Sequence, residues 1–201
     1  MKISTSKMIL ILSSLLLQCS LFAKEAAFST EMEAYFQGKS SKDILKVLNA
    51  VEDTCDTSCQ YIVKNIKEMG ILETDSEGRP LYVYEIMRGR WGIGGYTAIR
   101  VMHYKQEGET LHISSTYPGD DLLNYLEEKY NIHHNAPFYF MEVKWTLREK
   151  KDSSGHVKGI KVSYSLQAAS EKRLMRMASK KVQREMDESA EIIFDYFMEA
   201  E

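Results

Sequence analysis

The sequence is poor in the residues that announce a reaction. Only three cysteines occur, Cys19, Cys55 and Cys59, with no second pair or neighbouring histidine to complete a four-ligand metal set. Only three prolines occur, Pro80, Pro118 and Pro137, and each lies where a strand is about to begin or has just ended. Internal repeats, low-complexity tracts and Pro/Gly linkers are absent, so nothing divides the chain into several domains. The 26 Lys and Arg residues do not outnumber the 29 Asp and Glu, which argues against the basic stripe of a nucleic-acid-binding protein. No Ser/His/Asp order and no paired-carboxylate signature rises above background. The glycine-rich Gly89-Arg90-Trp91-Gly92-Ile93-Gly94-Gly95 runs between two expected strands and opens no helix, so it lacks the amide cradle of a phosphate loop. A bend is the better reading, with Trp91 at its tip a candidate for a cavity mouth or a peripheral membrane contact.

What is present begins at the N-terminus. Lys2 and Lys7 precede the apolar run Met8 to Leu17, and small residues gather near Ala23. That order describes an export signal. The run is too short to span a bilayer as a helix, which needs roughly 20 apolar residues. Cleavage after Ala23 leaves residues 24–201 as one domain in an oxidising space, periplasmic or secreted. The alternative is lipid anchoring through Cys19, because Leu16-Leu17-Gln18-Cys19 has the Leu and Cys of a lipobox, although Gln18 stands where a small residue is expected.

Cys55 and Cys59 lie between two expected short helices. Helical residues four apart sit roughly 6 Å from each other, inside the usual disulfide range of about 4.4–6.8 Å. A structural disulfide is the expectation, with free thiols as the alternative. For so small a loop its chain-entropy contribution is only roughly 2 kcal/mol.

Along the chain, the pattern around Ala27 to Ala34 does not decide between a strand and a helical lead-in. Ser40 then offers an N-cap to a helix carrying Ile44, Leu45, Val47, Leu48 and Val51 on one face. A second short helix is expected to include Cys59 to Val63. From Gly70 the text turns to strands separated by turn residues: GILET, LYVYEIMR, YTAIRVMHYK, TLHISSTY, FYFMEVKWTLREK and HVKGIKVSYSLQA. Tyr139, Met141, Val143, Trp145 and Leu147 alternate with polar residues, and so do Ile160, Val162, Tyr164 and Leu166. This describes an antiparallel sheet with one apolar face. Asp120 to Tyr130 reads as a helical insertion, followed by His133-His134 in a solvated loop. The chain closes on an expected long helix from Ser170 to about Glu199, with a stripe of Leu174, Ala178, Val182, Met186, Ala190, Ile193 and Phe197.

In this order of elements the chain resembles the START-like superfamily (SRPBCC, the polyketide cyclase and lipid-transport group). DILKVLNAVED is similar to the family's opening helix, GILETDSEG and LYVYEI to its first inner strands, and MEVKWTLREK with GIKVSYSLQA to its Trp-containing hairpin. The resemblance spans roughly Ser40 to the C-terminus. It implies an α+β helix-grip fold: an antiparallel curved sheet wrapped around a long C-terminal helix, with two short helices near the N-terminus. The chain departs from many relatives at Cys55-Asp56 and Cys59-Gln60-Tyr61, where they carry a Trp after an acidic residue.

The resemblance also implies an elongated cavity between sheet and helix that takes a sterol, lipid, polyketide or hormone; with no ligand set in the sequence, no cofactor or metal is expected. Candidate lining residues are Ile99, Val101, His103, Met141, Val143, Trp145, Val162, Tyr164, Val182 and Met186, with Met177 as a further adaptable methionine. Parity with Ile99 and Val101 makes His103 the better interior histidine, whereas His112 faces away. Tyr82, Tyr84, Arg100 and Glu142 are candidates to orient a polar head. The expected function is binding or carrying a hydrophobic, lipid-like small molecule. The alternatives are a cyclase- or hydrolase-type enzyme that uses a cavity histidine or carboxylate, and an envelope interaction protein whose core is filled.

Overall fold

A computed structural model describes residues 25–53, 66–89 and 94–199. The export signal with Cys19, the Cys55–Cys59 pair, the second short helix at Cys59 to Val63 and the tip residue Trp91 lie outside the described residues.

Among the described residues, seven antiparallel strands form one sheet in the order β1-β7-β6-β5-β4-β3-β2. They are β1 (Ala26–Gln37), β2 (Ile66–Thr74), β3 (Pro80–Met87), β4 (Tyr96–Glu107), β5 (Thr110–Thr116), β6 (Phe140–Lys151) and β7 (Val157–Ser170). The first segment is thus a full strand. Its burial alternates from Ala26 through Phe28 to Thr30, and it pairs along its whole length with β7, from Ala26↔Ser170 to Gln37↔Gly159. The helices among the described residues are α1 (Ser41–Asp53), α2 (Asp120–Tyr130), α3 (Arg173–Met177) and α4 (Ser179–Glu199). The arrangement is an α+β helix grip, with the sheet's apolar face turned to α4.

The two ends of the sheet differ, and that difference positions the site. At one end the strands are joined by short turns. Asp75-Ser76-Glu77-Gly78 and Asp152-Ser153-Ser154-Gly155 use one device: the Asp carboxylate accepts main-chain N–H groups two and four residues on, and the glycine N–H donates to the Asp carbonyl at 3.0 Å. The glycines stand at φ 78° and 85°, the left-handed region in which a side chain is strained. The other, wider end holds the long connections, including α2 and the entry to α3.

Inside the hairpin end, aromatic rings interlock. Trp145 of β6 stacks on Phe194 of α4 at 6.0 Å and meets Phe197 edge-on at 5.6 Å, while Phe36 of β1 meets Phe197 edge-on at 5.8 Å. Phe197, Leu147, Ile160 and Val162 are fully buried there. On the flank, Gln183 of α4 accepts the Ser29 N–H and donates to the Ser29 carbonyl, and Thr30 donates its hydroxyl to Asp187 at 2.6 Å. These bonds fasten α4 to β1.

Two expectations at the C-terminal helix change. The helix is broken at Ala178, giving α3 and α4, and it begins at Arg173 and not at Ser170. Ser170 is the fully buried last residue of β7, donating its hydroxyl to the Pro137 carbonyl at 2.6 Å. The inward face also turns. Leu174 and Met177 are exposed, whereas Met175 and Phe194 are buried. At α1, Ser40 does mark the start, but its N–H and hydroxyl both donate to Asp43, and Glu149 of β6 accepts the Ser41 N–H and hydroxyl at 2.9 and 2.6 Å.

Candidate functional site

Between the sheet, α1, α3 and α4 lies a cavity of about 250 Å³. Its wall is mostly apolar. Met141, Val143, Trp145, Tyr164 and Leu166 come from the hairpin β6–β7, Val182, Met186 and Ile193 from α4, and Leu48 from α1. Met69, Met87, Met102 and Met175 join them from β2, β3, β4 and α3. Unbranched thioether side chains fit irregular shapes at little rotamer cost, so this lining can adjust to more than one occupant.

One region of the wall is polar. Glu85 of β3 and Arg100 of β4 form an ion pair at 3.0 Å, their side chains 9% and 14% exposed. Ser115 of β5 is buried, and its hydroxyl has no hydrogen-bond partner among the described residues. Tyr96 and Tyr164 bring phenols to the same cavity. Burial, first of all, pushes both phenols well above the ordinary range for tyrosine. They therefore remain neutral donors at any physiological pH. Among the described residues the charged wall residues are Glu85, Glu185, Arg88 and Arg100, two acids and two bases. A site of this kind suits a mostly apolar molecule with a small hydrogen-bonding group.

Of the residues expected to line the cavity, Met141, Val143, Trp145, Tyr164, Val182 and Met186 are on its wall. Val162 faces inward but is packed toward the hairpin end, opposite Leu147, away from the wall. The parity assigned to β4 is reversed. Ala98, Arg100 and Met102 face inward, so Ile99, Val101 and His103 stand on the outer face. His103 is exposed there, and no histidine is among the lining residues.

The physical reason is that the start of β4 is covered on both faces. Ala98 and Ile99 are equally buried, so burial demand does not alternate. Ile99 and Leu126 of α2 are fully buried yet outside the main core cluster. The α2 segment is the cover available to that face. Lys129 and Tyr130 bind Glu73 of β2, the Asn135 N–H donates to the Thr97 carbonyl at 2.9 Å, and the Ile99 N–H donates to Nδ1 of His134 at 3.0 Å. His133 is solvated as expected. His134 is not: it docks against the open flank of β4, and its own N–H donates to Glu127 at 2.6 Å. Burial, ahead of the neighbouring charges, lowers its basicity.

Among the polar candidates, Arg100 is in the cavity. Tyr84 and Glu142 face outward, bonded to Glu68 and Lys144. The carboxylate of Glu68 and burial push the Tyr84 phenol up to about 12. Met177 is 73% exposed and is not among the residues lining this cavity. Glu85 and Ser115 escaped notice because a single Glu or Ser on a strand looks like a solvated position. The spacing Val83-Glu85-Met87 carried the signal, since it puts Glu85 on the same face as two apolar residues.

Neither a protein-family model nor a curated protein matches the sequence. Solved structures do match the fold. A START superfamily protein from Mycobacterium smegmatis superposes with a TM-score of 0.53 at 14% identity, over 87% of this chain and 97% of that one. A protein from Thermus thermophilus superposes with a TM-score of 0.53 at 12% identity, over 86% of this chain and 95% of that one.

Proposed function

We propose that this START-like domain is exported and binds a hydrophobic, lipid-like small molecule in the cavity between its sheet and α4. START-like folds commonly bind hydrophobic ligands, and fold alone does not choose among them. The observation that carries the reading is the cavity itself: a methionine-rich apolar wall interrupted by one buried polar region at Glu85, Arg100 and Ser115. The volume of about 250 Å³ lies just under the roughly 300–1,000 Å³ of ordinary small-molecule sites. It favours a single-chain or small-ring compound over a two-tailed lipid. The balanced charge of the wall favours a head group such as a hydroxyl, carbonyl or amide over a full ionic charge. Export rests on the order Lys2, Lys7, Met8 to Leu17 and Ala23.

The test is native mass spectrometry of protein purified from its own cell envelope, together with titration of a fluorescent single-chain lipid probe. A stoichiometric bound molecule is expected, and so is saturable probe binding. Val143→Trp would fill the cavity and abolish both while leaving the circular dichroism spectrum intact. Equal probe binding by the wild type and the filled variant would overturn the proposal. An enzymatic role for a cavity histidine has no residue to rest on here, since His103 is on the outer face.

A further inference from the structure

We infer that the wide end of the domain, centred on α3, docks on an anionic membrane surface. Helix α3 is a five-residue segment with two different sides. Met175 is buried and lines the cavity, while Leu174 and Met177 are 48% and 73% exposed. At the same end of the sheet Tyr139 and Phe140 are also exposed, at 56% and 41%. The Tyr139 N–H donates to the Ala169 carbonyl and Ser170 holds the Pro137 carbonyl, so these aromatics sit at the strand end from which α3 departs. Four large apolar side chains thus share the end of the molecule at which Met175 and Phe138 line the cavity.

Charge supplies the second observation. From Glu171 to Arg184 the chain holds Lys172, Arg173, Arg176, Lys180, Lys181 and Arg184 against the single acid Glu171. From Glu185 onward it holds seven acids and no cation. The C-terminal helical region of a chain with net charge −3 is therefore positive at the wide end and negative at the hairpin end. Lys172, Arg173 and Lys180 are exposed around Leu174 and Met177. Exposed apolar side chains ringed by cations are the composition of an interfacial segment, in which the apolar groups enter the headgroup boundary and the cations meet anionic lipid. Glu25 and Glu171 lie among these groups as opposing charges, and α2 adds Asp120 and Asp121 at the same end; Glu25 accepts a hydrogen bond from the Tyr139 hydroxyl at 2.8 Å. Strand β1 also begins at this end, with Ala26 opposite Ser170. A chain anchored through Cys19 would present the same patch to the bilayer.

Co-sedimentation of the purified full chain with phosphatidylcholine vesicles, with and without phosphatidylglycerol, tests this. Residues 1–24 are common to every variant, so the comparison between variants isolates the patch. Binding is expected to be stronger to the phosphatidylglycerol vesicles and to weaken with salt. Lys172→Gln and Lys180→Gln are each expected to weaken it roughly fivefold. Leu174→Ser with Met177→Ser is expected to weaken it several-fold, with thermal melting unchanged because both side chains are exposed. Salt-independent binding, equal binding to both vesicle types, or variants that bind like the wild type would overturn the inference. So would retention of an acidic soluble protein without any vesicle binding, which would assign the patch to a protein partner. None of these outcomes depends on whether the cavity holds a ligand.

Discussion

Replacing Arg100 by methionine removes one half of the Glu85–Arg100 pair and leaves the carboxylate in a wall otherwise built of methionine, valine and aromatic rings. Breaking a buried pair from one side costs about 3–5 kcal/mol, because the remaining charge keeps its desolvation penalty without its partner. The cavity beside the pair can admit water, and the side chains are 9% and 14% exposed, so the lower bound is the appropriate figure. For a domain of this size, about 3 kcal/mol corresponds to a fall in melting temperature of roughly 6–12 °C. The double variant Glu85→Leu/Arg100→Met removes both charges together and is expected to melt within about 1 kcal/mol of the wild type, since apolar replacements of a buried pair are often neutral or better. Urea unfolding of the wild type, both single variants and the double variant closes the cycle. If Arg100→Met melts within about 2 °C of the wild type, the pair is not buried as described. If the double variant is as unstable as the singles, the loss comes from packing and not from charge. Probe binding by the double variant should persist for an apolar ligand and lose preference for one with a hydroxyl head.

Three further outcomes are expected. His134 is less basic in the folded protein than free histidine because it is buried, so the unfolded chain binds more protons below pH 6.5. Stability is therefore fully present above that pH and declines as pH falls through and below it, and His134→Gln should flatten this slope in melting curves from pH 5 to 7. An unchanged slope would remove His134 from the account. Gly159→Ala should be more damaging than Gly70→Ala: a Cβ at Gly159 would lie 2.5 Å from the Phe36 carbonyl oxygen, in the backbone of the β1–β7 pair, whereas at Gly70 it meets the movable Tyr84 ring at 2.5 Å. Overpacking costs of about 1–3 kcal/mol frame the two, and denaturant midpoints in the opposite order would refute the distinction. Glu149→Ala removes the acceptor of the Ser41 N–H and hydroxyl at the start of α1 and should cost about 1 kcal/mol, read by urea unfolding.

Much of the fold was legible because its pattern is local. The alternation from Tyr139 to Leu147 and from Ile160 to Leu166 assigns each residue a face, and those assigned inward are all buried in the structure except Tyr139, which precedes β6 and is exposed. The six wall residues recovered from sequence come from that hairpin and from the stripe on α4, where period and burial agree. Strand β4 was not legible in the same way. Its first residues are buried on both faces, so Ile99 and Ala98 compete equally for the inside. The break at Ala178 was equally silent, because Leu174 and Ala178 continue the helical spacing that Met175 and Phe194 replace in the folded chain.

The sequence by itself determined six of the seven strands, the turns built on Asp75-Gly78 and Asp152-Gly155, and the presence of a long amphipathic C-terminal helix. Each of these follows from interactions among residues a few positions apart. Only the tertiary structure decided which face of β4 looks inward, that Glu85, Arg100 and Ser115 meet at one cavity wall, and that exposed Leu174 and Met177 share an end with Tyr139 and Phe140. These juxtapositions depend on strand register and on what covers each face. A side chain's surroundings across a sheet are set by neighbours distant in sequence, and no local period encodes them.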